Sequence, residues 1–147
     1  MIEKFFKIFK WKQTKKTKLR YTHDELGIFE NSSEDIWVGN TSYANSHVEI
    51  AVSGDSKGPN EKLINQLCSV LNNSNYNFKE SALNFLLLEL KDKVPLNKND
   101  FEIQSFDFLW PDKIEYFVAT FSLKEDEDAV WRVEFYNNEP KFLSRDG

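Results

Sequence analysis

The apolar residues of this 147-residue chain change period twice, and that order constrains what it can fold into. Between residues 26 and 52 they alternate with polar neighbours. From about 60 to 93 they recur every three or four positions, and from 101 to 136 they alternate again. Period two marks a strand with one buried face, and period 3.6 marks an amphipathic helix. Strands, helices and strands in separate blocks indicate an α+β domain. The expected architecture is βββ-αα-βββ, a mainly antiparallel sheet with two helices on one face, preceded by an amphipathic N-terminal helix. Residues 21–147 make a single acidic α+β domain on this reading, and residues 1–20 a basic leader and linker.

The first strand block comprises Leu26–Glu30, the turn-rich 31–35, Ile36–Val38 running on towards Tyr43, and His47–Val52. Gly54, Gly58 and Pro59 then break the pattern. Leu63, Ile64, Leu67, Val70 and Leu71 place a helix over about 60–71. Asn77 with Glu80 three residues on resembles a capping box and starts a second helix. Leu83, Leu86, Leu87 and Leu90 face inward from it, it runs to about Lys93, and Pro95 stops it. In the last block, Phe101–Trp110 changes phase near Ser105, which predicts a bulge. Ile114–Leu123 is apolar on both alternating sets and is therefore expected inside the sheet. A turn at Glu125–Asp128 leads to a partner strand at Ala129–Tyr136, and Phe142–Leu143 adds a short edge.

Charge divides the chain differently. The first twenty residues hold eight bases and one acid, net +7, leaving eleven bases and twenty-three acids, net −12, for the rest. Such asymmetry implies that tail and body meet different partners. In the leader, Ile2, Phe5, Phe6 and Phe9 form one helical stripe, with Lys4, Lys7 and Lys10 off it and Trp11 beyond. That is the pattern of an interfacial membrane helix, and these eight residues are the membrane-binding candidates. Basic residues near an anionic surface contribute on the order of 1 kcal/mol each, which permits reversible, salt-sensitive attachment. The same stripe is also compatible with packing on the chain's own sheet or with a tail that does not fold. Nucleic acid is not an expected partner, because the acidic body would repel a phosphate backbone.

Residues with catalytic chemistry are few. Two histidines, His23 and His47, and the single Cys68 have no motif around them. Cys68 falls inside an apolar helical segment, where a free cysteine usually serves as a small core residue. One cysteine excludes an intrachain disulfide and suits a reducing compartment. No spaced Cys and His resemble a zinc site, and the acids at 125–128 lack the alternation of a calcium loop. The five glycines form no phosphate-cradling cluster. No metal, cofactor or enzymatic activity is expected. No secretory signal is evident, and the expected location is the cytoplasm, with peripheral attachment at the inner membrane through the leader.

Three pieces of the body stand out: Asp24-Glu25-Leu26-Gly27-Ile28-Phe29 followed by Ile36-Trp37-Val38-Gly39, the central helix pair, and Trp131–Phe135 with Glu139–Asp146. Together they resemble a group of small bacterial domains that includes immunity proteins of polymorphic and contact-dependent toxin systems. The resemblance implies a binder that neutralises a cognate toxin and carries over no catalytic residue. The acids Asp24, Glu25, Glu34, Asp35, Glu125, Asp126, Glu127 and Asp128 are the candidate contacts for a basic partner. The alternative is a peripheral membrane adaptor anchored by the leader.

Overall fold

The structure is a computed structural model that describes residues 18–90, 97–113, 115–126 and 128–146. The expected leader helix, the end of the second helix at Lys93 and Pro95, and Ile114 and Glu127 lie outside the described residues.

Strands β1 (Arg20–His23), β2 (Gly27–Ser33), β3 (Ile36–Tyr43) and β4 (Ser46–Asp55) form an antiparallel meander. A two-residue strand, β5 (Gly58–Pro59), folds back on the end of β4. Helices α1 (Glu61–Leu71) and α2 (Phe78–Leu90) follow, then a 3-10 turn at Lys98–Asp100. Strands β6 (Phe101–Phe108), β7 (Tyr116–Leu123), β8 (Val130–Tyr136) and β9 (Glu139–Asp146) make a second antiparallel meander. The order across the sheet is β1-β2-β3-β4-β6-β7-β8-β9, and β4 with β6 is its parallel pair. The domain is thus α+β, with a mostly antiparallel mixed sheet and two helices.

Among the described residues, the expected three-plus-three strands are corrected to five before the helices and four after. β1 is a short edge strand with no run of apolar residues, and β5 contains a proline that donates no ladder bond. β9 extends beyond Phe142–Leu143 on both sides: its mostly exposed residues carry little apolar alternation, and a register shift opposite Glu134 and Phe135 interrupts what there is. The expected bulge near Ser105 is present, between Ile103 and Ser105. β7 is buried along both faces from Tyr116 to Ser122, as its doubly apolar pattern demands.

Local chemistry sets the element ends. The Asn60 side chain accepts from Leu63 N at 3.1 Å and caps α1. Asn77 does the same for Glu80 N at 3.0 Å, starting α2. The β3–β4 hairpin turns on Ala44 and Asn45 (φ 51° and 65°), and the β8–β9 hairpin on Asn137 and Asn138 (φ 50° and 67°). Both two-residue loops have positive φ at each central position, the mirror-image turn that matches strand twist.

One face of the sheet meets the helices. Trp37, Val48, Ile50, Val52, Phe106, Phe108, Phe117, Phe121, Val133 and Phe135 join Leu63, Leu67, Phe78 and Leu86 in one buried cluster. Phe117 is sandwiched between Phe108 and Phe135, stacked at 4.8 and 4.7 Å, and Phe78 of α2 meets Phe117 and Phe135 edge-on. Each such pair contributes about 0.5–1.5 kcal/mol beyond its buried area.

Candidate functional site

The opposite face of the sheet carries no helix among the described residues. Register alone assembles a row across all eight strands there: Arg20, Glu30, Val38, Ala51, Asp107, Val118, Glu134 and Phe142 are successive partners. Seven inter-strand steps make it roughly 34 Å long. Arg20 holds Glu30 at 3.3 Å at one end. Near the centre Asp107 is half-buried beside Ala51 and Val118. Glu49 lies one position along β4 on the same face, and Arg132 approaches from β8. Burial, followed by the charge of Glu49, raises the Asp107 carboxyl to about 6, against the lowering effects of Arg132 and a hydrogen bond to Ser105. Arg132 also pairs with Asp146 of β9. Arg145 stacks over Trp131, 5.3 Å from the ring centre.

An aromatic run borders this centre. Trp110 meets Tyr116 at 4.7 Å, Tyr116 meets Tyr136 at 4.7 Å, and Tyr136 meets Phe142 at 6.0 Å. The Tyr116 hydroxyl donates to Glu134 Oε1 at 2.9 Å, and Lys113 sits over the Tyr116 ring at 5.3 Å. Burial and the Glu134 carboxylate push the Tyr116 phenol well above its ordinary range. It stays a neutral hydrogen-bond donor. Phe142 is 58% exposed, which leaves a large apolar ring at the rim.

The acids singled out from sequence do not form one surface. Asp24 and Glu25 occupy the β1–β2 turn, and Glu125, Asp126 and Asp128 the β7–β8 turn, all exposed at the same end of the sheet. Four strand steps, roughly 19 Å, separate these turns. Glu34 and Asp35 form the β2–β3 turn at the opposite end. Glu25 is partly engaged, accepting from Asn72 Nδ2 at 2.8 Å beyond the end of α1. The leader candidates Ile2, Lys4, Phe5, Phe6, Lys7, Phe9, Lys10 and Trp11, and Glu127, lie outside the described residues.

Cys68 and His23, by contrast, come together. Cys68 is half-buried on α1, and its Sγ lies 4.0 Å from His23 Nε2. His23 Nδ1 accepts from Glu25 N and Leu26 N at 3.1 and 3.2 Å, so the hydrogen-bond pattern assigns the neutral ring its proton on Nε2. The nitrogen facing sulfur is then a donor and has no lone pair to take a thiol proton. Burial and the charge of Glu25 also push the Cys68 thiol upward, against thiolate formation. This pair braces the β1–β2 turn against α1.

A cleft of about 680 Å³ opens beside it, lined by Tyr21, His23, Asp55, Lys57, Asn60 and Glu61 among others. Its acids and bases are mixed and form no triad of base, nucleophile and orienting group. No group of three His, Cys, Asp or Glu converges for a metal ion among the described residues, and none of their helices is long and apolar enough to cross a membrane.

No protein-family model matches the chain, and neither a curated protein nor a solved structure matches it significantly.

Proposed function

We propose that the chain is a non-enzymatic protein-binding domain of the immunity type, which neutralises a cognate bacterial toxin by occluding it. The observation that carries this reading is the helix-free face, where an aromatic run from Trp110 to Phe142 adjoins the carboxylates of Glu134, Asp107 and Glu49. Aromatic anchors beside partly desolvated charge are the composition of an interface hot spot. The resemblance of short sequence pieces to a group of domains that includes immunity proteins supports the reading, as does the net charge of −5, which favours encounter with a basic partner. The turn acids then steer association from the rim, and the sheet face makes the contact. The domain acts in the cytoplasm.

The test is co-expression with the protein encoded by the neighbouring gene, read as protection of the host cell and as a co-purifying complex. Absence of both sinks the inhibitor reading. If a complex forms, Glu134→Lys with Asp107→Lys should abolish it. Reversing Glu125, Asp126 and Asp128 should only slow association.

A further inference from the structure

We propose that the helix-free face is the docking surface for the chain's own basic leader, residues 2–16, which lies across it in the free protein. The proposal stands on this face's geometry and does not require the inhibitor reading. The leader joins the fold at the right place. Arg20, the first residue of β1, heads the row that runs through Glu30, Val38 and Ala51 to Asp107.

Length is sufficient. Asp107 lies four strand steps, roughly 19 Å, from Arg20. Residues 12–18 alone can span about 23 Å when extended. The apolar part, residues 2–11, can therefore lie over the row without disturbing β1.

Charge is complementary. Residues 1–17 hold six lysines and one glutamate, net +5, and the face offers Glu49, Asp107 and Glu134 beyond the Arg20–Glu30 pair. The facing groups also include Arg132, which is occupied by Asp146, and exposed His47 on β4. Apolar surface is available too. Leu19, Ile28, Leu88 and Phe142 are the large hydrophobic side chains left exposed among the described residues, and Ile28 and Phe142 belong to this face. Ile28 and half-buried Val38 lie on the path from Arg20 to Asp107. The other face is closed to the leader, since its rings already fill the space beneath the helices. Tethering makes the contact intramolecular, at an effective concentration in the millimolar range, so even a weak contact is well populated. A partner that binds the face must displace the leader, and the leader so released is free for an anionic membrane.

Zero-length carbodiimide coupling of lysine to carboxylate in the full chain tests this, with the linked peptides of the monomer read by mass spectrometry. Lys4, Lys7 or Lys10 should be joined to Glu49, Asp107 or Glu134, and the links should be lost at high salt. Leader links confined to Asp24, Glu25 and Asp126, or present only in a cross-linked dimer, overturn the proposal. Co-sedimentation with anionic vesicles in a chain that shows no monomer links makes the leader a lipid anchor and overturns it equally. A second chain, with Lys4→Glu, Lys7→Glu and Lys10→Glu, leaves the folded domain's own sequence intact. Asp107 should titrate at higher pH there than in the wild type, and an unchanged titration counts against docking.

Discussion

Asp107 and Glu49 lie on the same face of the parallel pair β4–β6, each opposite the small neighbour of the other: Ser105 for Glu49 and Ala51 for Asp107. Burial of Asp107, and then the neighbouring charge of Glu49, both disfavour ionisation of the Asp107 carboxyl.

The first prediction is a pH dependence of stability. The folded-state value of Asp107, about 6, is above its ordinary 3.8, so the fold binds this proton more tightly than the unfolded chain does. Stability attributable to Asp107 is therefore lowest above pH 6 and recovers as pH falls from 6 towards 3.8, by roughly 2–3 kcal/mol in total. Asp107→Asn should be more stable than wild type at pH 8, and the advantage should shrink towards pH 4. Urea unfolding at a series of pH values measures this. An advantage that does not change with pH would falsify the assignment.

The Ala44–Asn45 turn places an alanine at φ 51°, where its Cβ is unfavourable. The companion turn uses Asn137 at the same position, with φ 50°. Ala44→Asn should stabilise the domain by about 0.5–1 kcal/mol, read as a higher urea midpoint at unchanged slope. No gain would show that the hairpin is held by its strands and not by its turn.

Of the described glycines, Gly54 leaves the least room for a side chain. A Cβ there would stand 2.2 Å from Gly58 O and 2.7 Å from Pro59 Cα, both backbone atoms that cannot swing aside. Gly54→Ala should cost about 3 kcal/mol or unfold the domain. It should also part Trp37 Nε1 from Asp55 O, now 2.9 Å away, visibly in the indole proton resonance. A thermal midpoint equal to wild type would contradict this.

Cys68 should alkylate more slowly than a free thiol at pH 8, because burial and Glu25 both disfavour the thiolate. Glu25→Gln should hasten the reaction. Rapid alkylation of the wild type, with a pH midpoint below that of free cysteine, would revive a nucleophilic role.

Much of this fold is legible in the chain because its core is made of strong periodic signals. The Leu63–Leu67–Val70 stripe, the capping asparagines and the doubly apolar β7 each state their structure locally. β1 and β5 are not legible, since four residues at an edge and a Gly–Pro pair gain their pairing from neighbours and not from their own pattern. The binding face is the least legible part. Glu49, Asp107, Arg132 and Glu134 are scattered over 86 positions and meet only because β4 and β6 run parallel, which no short-range signal encodes. The turn acids were readable as exposed, but their grouping depends on which end of the sheet each turn occupies.

That parallel junction has a further consequence. The sheet is two antiparallel meanders, β1–β4 with α1 packed over β4, and β6–β9 with α2 packed over β9, joined by the β4–β6 ladder and by the core that both halves share. Cutting the chain between the helices, at residues 72–77, would leave each half with its own hairpins and its own helix. The halves should therefore reassemble from separate fragments, and a split reporter fused to them would register the seam as a heterodimer interface. Seen this way, the domain is an association frozen into one polypeptide.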